Sequence, residues 1–173
     1  MSVVITAPHA KCNENDIKLH MCDLISGEVA ETLHKKLINS GIYSKLLIPD
    51  LRKIICNMNR LRCRKTKFRL RLTKYMRNNC KMLLDIHSFN KIDNCDLYII
   101  EQYNTPQYVL DLINKFNDNN VSSKVFTSFK NDILNEARLM NIKSILLNFN
   151  ESLDKNKIIS IIDIIAEWVK SQL

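Results

Sequence analysis

Glycine is nearly missing from this chain: Gly27 and Gly41 are the only two in 173 residues. Left-handed turns must therefore fall to another residue, and asparagine, which is abundant here, tolerates that backbone. No cysteine pair has the CxxC spacing. Cys12, Cys22, Cys56, Cys63, Cys80 and Cys95 stand apart, and in a chain with no export signal they read as free thiols. A zinc cluster of Cys12, His20 and Cys22 would need a second short-spaced pair to support it, and there is none. Cys56 and Cys80 are expected in or near core strands. No basic stretch followed by an apolar signal segment opens the chain. No apolar run is long enough to span a membrane. The richest candidate, residues 158–169, is broken by Asp163 and Glu167. The expectation is a soluble, cytoplasmic protein folded as one domain over residues 1–173.

Acidic residues are absent from residues 52–77, which open on Arg52, close on Arg77 and hold eleven Lys and Arg. The remaining 15 basic residues face 18 acidic ones, so the formal net charge of +8 comes from this one segment. Such a local patch points to an anionic partner.

What is present alternates. Short β-branched or apolar runs at residues 2–7, 43–48, 81–86, 96–101, 121–126 and 144–149 read as strands. Helical spacing covers residues 23–40, 66–79, 105–116, 130–140 and 155–172. In the first helix Leu24, Val29, Leu33 and Leu37 share a face, and Gly41 stops it. Thr105 and Pro106 suit a helix start, and Asp154 or Ser152 would cap the last helix. Strands that alternate with helices, several apolar throughout, give an α/β fold. We expect three α/β/α layers around a mostly parallel mixed sheet.

Two strand-like runs end near a histidine, His9 after Pro8 and His87 two residues beyond Asp85. Residues past the carboxyl ends of strands face the ligand crevice in α/β folds, and neutral imidazole is the commonest side-chain metal ligand. A catalytic zinc site needs a third ligand and an open position. Asp23, Glu14, Asp16 and Glu28 are the candidates, and Asp23 is equally placed to cap a helix. Asp85 shares a strand face with His87 and could orient a neighbour. Asn59, Arg60, Arg62 and Arg64 could clamp a carboxylate. The same basic segment could instead bind nucleic acid or an acidic protein. Phe68 and Tyr75 fall at helix core spacing, however, and are not available to stack on bases.

In order along the chain, Pro8-His9-Ala10, Cys22-Asp23, Asn57-Met58-Asn59-Arg60 and Asp85-Ile86-His87-Ser88-Phe89 resemble the N-formylglutamate amidohydrolase family. That family is related to the zinc carboxypeptidases. The likeness runs from Val3 to about Leu153. It implies a zinc-carboxypeptidase-like fold, with Zn2+ on His9, Asp23 and His87. It also implies a substrate carboxylate on Arg60 and Asn59, assisted by Arg64. The substrate would be a small carboxylate-bearing amide or peptide, cleaved by zinc-activated water. Two departures stand out. The family's leading acid of Asp-x-Asn-Arg is Asn57 here. Its general-base glutamate falls on Asn148, which leaves Glu151 as the nearest candidate base. Such a chain is an impaired amidohydrolase, or else a relative that binds an anionic partner without turnover.

Overall fold

The structure, a computed structural model, describes residues 2–18, 22–53, 55–90, 94–101, 105–127 and 131–173. A six-stranded mixed sheet forms its middle layer. Strands β1 (Ser2–Thr6), β2 (Ser44–Leu47), β3 (Cys80–Phe89), β4 (Leu97–Glu101), β5 (Ser123–Thr127) and β6 (Lys143–Asn150) lie in the order β2-β1-β3-β6-β4-β5. The first four of that order run parallel; β4 is antiparallel to β6, and β5 follows β4. Only residues 90–96 separate β3 from β4. A parallel crossover takes a dozen residues or more, so β4 has to reverse.

Helices α2 (Ser26–Asn39), α4 (Gln107–Asp118) and α6 (Lys155–Gln172) cover one face, and α3 (Lys67–Arg77) and α5 (Asp132–Leu139) the other. A five-residue helix, α1 (Glu14–Lys18), lies between β1 and α2. Strand alternation sorts the core. Met82, Leu84 and Ile86 pack under α2 and α6, while Leu83 packs under α3 and α5. Asp85 and His87 have the parity of Leu83, so they point to the α3/α5 side. Along α6, Ile161, Ile162, Ile165, Trp168 and Val169 are buried, as their spacing predicts.

Asparagine does replace glycine. Asn79, Asn120 and Asn141 have positive φ, as Gly41 does, and each lies just past the last turn of α3, α4 or α5. These are the left-handed helix stops that glycine usually fills.

Several expectations need correction. The first helix starts at Ser26 and not at residue 23, so Leu24 lies outside it and is half exposed. β3 continues to Phe89 and takes His87 into the ladder opposite Asn148. Four cysteines are not free: Cys12 bonds Cys22 and Cys56 bonds Cys63. Their Cα atoms lie 5.7 and 6.0 Å apart, within the range a bridge requires. Sequence spacings of 10 and 7 gave no sign of this. The pairing rules out a cluster of two thiolates at Cys12 and Cys22; His20 lies outside the described residues. Cys56 sits in a loop, whereas Cys80 opens β3. Among the described residues no helix is long and apolar enough to cross a membrane.

Candidate metal centre

The chain ends of β1 and β3 bring His9 and His87 together, with ring centroids 4.7 Å apart in an edge-to-face arrangement. Asp23 joins them because the chain before α2 folds back on the turn after β1, where Asp23 N–H donates to the His9 carbonyl at 3.2 Å. Its carboxylate is not spent on capping α2, whose first turn has no side-chain cap. Asp23 Oδ2 lies 2.6 Å from His87 Nδ1 and 3.3 Å from His9 Nδ1. All three residues are buried. One ligand atom from each falls within 4.8 Å of the others, a group that could hold a metal ion.

The far nitrogens are also held. His9 Nε2 meets Asn57 Oδ1 at 3.0 Å. His87 Nε2 lies 3.3 Å from Asp85 Oδ2 and 3.0 Å from Asn59 Nδ2. Asn59 Oδ1 has no hydrogen-bond partner among the described residues, so a half-turn of that amide changes Nε2 from acceptor to donor. Asp85 is itself fixed, accepting from Thr6 Oγ1 at 2.6 Å and from Asn131 Nδ2 at 2.8 Å. Asn131 caps α5 with its Oδ1, so one residue ties that helix to the histidine pair.

Electrostatics follow from this packing. Burial disfavours a charged His87, but the Asp85 carboxylate and the hydrogen bond and charge of Asp23 outweigh it and push the ring up to about 10. Burial likewise opposes ionisation of Asp23. The hydrogen bond and charge of His87, then the nearness of His9, hold its carboxyl well below the usual range. Burial lowers His9, and the charges of His87 and Lys53 add to the effect against the pull of Asp23. These directions favour the imidazolium form of His87, between two carboxylates, and the neutral form of His9.

The donor set fits zinc. Bonds of about 2.0–2.1 Å put the ligand atoms of a tetrahedral zinc site about 3.3 Å apart. His9 Nδ1 lies at that spacing from Asp23 Oδ2, 3.3 Å, while His87 Nδ1, at 2.6 Å, is at hydrogen-bond length and has to open to admit an ion. His9 Nδ1 is buried and makes no hydrogen bond, although it faces the carboxylate. Each histidine offers Nδ1 inward while Nε2 meets an amide oxygen or carboxylate, the arrangement that orients a metal-bound imidazole.

The cavity over the histidines measures about 190 Å³ and is lined by Asn57, Asn59, Arg60, Asn131 and Asn148, with Ile100 and Leu146 as its apolar wall. Arg60 thus stands beside the centre. The loop that carries it is pinned from below: buried Arg69 donates to the Met58 carbonyl at 2.7 Å and pairs with Glu136. Arg64 is not brought to this cavity; it is exposed and lines a groove between α3 and α5. Glu151 is not brought there either. Its Oε1 accepts from Leu24 N–H at 2.8 Å and from Ser88 Oγ at 2.6 Å, holding the approach to α2. Among the described residues that line the cavity, none is a carboxylate. Glu14 and Glu28 lie outside the cluster, and Asp16 is taken by Arg52. Arg52 and Arg69 are thus committed to internal ion pairs, and the basic segment is not a uniform outward patch.

Sequence reading missed Thr6, Asn131 and the direct role of Asn57. Asn131 precedes a helical run and signals only a cap, while Asn57 reads in the sequence only as a lost acid.

No protein-family model matches the chain, and no curated protein does. Solved structures do share its fold. Gene product Atu2144 from Agrobacterium tumefaciens superposes with a TM-score of 0.75 at 11% identity, over 98% of this chain and 89% of that one. A bacteriophage poly-gamma-glutamate hydrolase gives 0.62 at 13%, over 98% and 84%. The catalytic domain of CwlV, an N-acetylmuramoyl-L-alanine amidase from Bacillus (Paenibacillus) polymyxa, gives 0.58 at 11%, over 98% and 96%. At such identities the likeness is one of fold.

Proposed function

We propose that the chain is a zinc-dependent hydrolase of an amide or peptide bond next to a carboxylate, akin to N-formylglutamate amidohydrolases, with a weakened proton-transfer step. The observation that carries this reading is the convergence of His9, Asp23 and His87 around a buried nitrogen without a hydrogen bond. These three residues would hold the ion. Zinc bound there supplies Lewis acidity toward an amide carbonyl and makes water more acidic. Two structures of the same fold, named as an amidase and a poly-gamma-glutamate hydrolase, are in keeping with amide chemistry beside a carboxylate.

The chain's own groups do the rest. Arg60 takes the substrate carboxylate through paired N–H donors, and the Asn59 amide steadies His87 from the cavity side. Ile100 and Leu146 keep water from the acyl group. Asn148 stands in the ladder opposite His87, where it can hydrogen-bond the substrate but cannot take a proton. With Glu151 engaged ahead of α2, none of the described residues lining the cavity is a carboxylate base, which costs on the order of 10²–10⁴ in rate. That same absence favours a second reading, in which the pocket binds its carboxylate ligand without turnover.

A panel of N-acyl amino acids, assayed with zinc present, tests both. Slow cleavage is expected, with Arg60→Ala raising KM at least tenfold and leaving kcat within about threefold. Binding without cleavage selects the second reading. No binding of any carboxylate-bearing amide sinks both.

A further inference from the structure

Asn57 and Asn59, which hold the far nitrogens of His9 and His87, lie on one short loop closed at its ends by Cys56 and Cys63. We infer that this bridge positions the metal ligands, making Cys56 and Cys63 positioning residues of the centre; the inference rests on the proposed zinc site.

Hydrogen bonds hold the loop at its middle and at its ends. Arg69 Nη1 donates to the Met58 carbonyl at 2.7 Å and Asp132 N–H to that of Asn59 at 3.2 Å. Cys56 N–H donates to the Arg52 carbonyl at 3.2 Å, and the Cys63 carbonyl accepts from Thr66 N–H at 3.0 Å and Thr66 Oγ1 at 2.8 Å. Within the loop, Asn57 Oδ1 also accepts from Asn59 N–H at 3.0 Å, so the two amides move together. The bridge adds a covalent link between the two ends. Cys63 is buried in the α3/α5 core beside Met58, Phe68 and Leu72, and Cys56 packs against the same cluster. Reduction splits the single S–S bond, takes up two electrons and two protons from the reductant, and leaves two thiols. The loop end at Cys56 then loses its covalent tie to the core, and Asn57, the next residue, can leave His9. Residues that orient a metal ligand typically govern 10–100-fold in metal affinity. Four of the six cysteines are bridged, both bridges lie on loops that feed the centre, and the two free thiols, Cys80 and Cys95, lie in or beside the sheet.

The test is zinc affinity, measured with the metal alone by competition against a chromophoric chelator. The chains compared are the oxidised parent, the C56S/C63S variant, Asn57→Ala, and the three substitutions combined. We expect C56S/C63S and Asn57→Ala each to weaken zinc binding at least tenfold. The combined chain should be no more than about threefold weaker than either, because both act through one contact. A purely stabilising bridge would lower the melting temperature of the metal-free chain and leave zinc affinity untouched. The inference is overturned if C56S/C63S binds zinc within threefold of the parent, or if the losses multiply in the combined chain. Should C56S/C63S not fold, a C12S/C22S chain, compared oxidised and after reduction with a phosphine and capping with iodoacetamide, gives the same comparison at the Cys56–Cys63 bridge alone. A parent that binds no zinc overturns the metal site itself, an outcome distinct from failure of the bridge alone.

Discussion

His87 bears the greatest burden of any single residue. It touches Asp23, Asp85 and Asn59 at once. Replacing it with alanine should abolish zinc uptake and, because Asp23 and Asp85 then lose their buried cationic partner, lower the melting temperature while the circular dichroism at room temperature stays that of a folded chain. A chain that unfolds instead would make His87 a structural residue. Asn148→Glu is the complementary experiment. It restores a carboxylate opposite His87, and amidase activity should rise, with about 10²–10⁴ as the scale of a positioned base; an unchanged rate would argue that position 148 is not where the base belongs. Much of this was legible in the sequence. Motif order points to His9, Asp23, Asn59, Arg60 and His87; the structure brings His9, Asn59, Arg60 and His87 to one cavity and sets Asp23 against the two histidines. Arg64, which the family resemblance suggests, and Glu151, the acid nearest Asn148, do not line this cavity, and for Glu151 the reason is physical. Glu151 comes after β6 has ended, and its carboxylate is claimed by the chain entering α2.

Among the elements, alternation and helical spacing placed the strands and the long helices. What they could not show was where a terminus falls by a turn. Residues 23–25 carry helical spacing, but Asp23 is held by the histidines and by the turn after β1, and α2 waits until Ser26. β3 runs on past residue 86 because β6 offers it partners as far as Asn150. Disulfides were invisible for a different reason, since pairing depends on which loops meet. Elements also decide cysteine reactivity. Cys80 opens β3, and burial pushes its thiol up to about 11, so little thiolate exists at neutral pH. Iodoacetamide at pH 7.5 should therefore leave Cys80 of the folded, unreduced chain unlabelled and label it only after denaturation. Rapid labelling of the native protein would show that the strand start is open.

At the scale of the whole molecule, the sheet order explains the site. Placing β1, β3 and β6 side by side and parallel sends three chain ends to one edge. The loops that follow β1 and β2 then close over that edge with Asp23 and with the Asn57–Arg60 stretch. Tryptophan, isoleucine and leucine on the far face hold the frame without taking part. The uneven charge that stood out in the sequence is partly absorbed, as Arg69 supports the clamp loop from beneath. The account depends most on the metal. Elemental analysis of the protein, purified oxidised and without added metal, should find about one zinc per chain, removed by a chelator and restored by zinc alone. A chain that carries none, and takes up none when zinc is supplied, would contradict it.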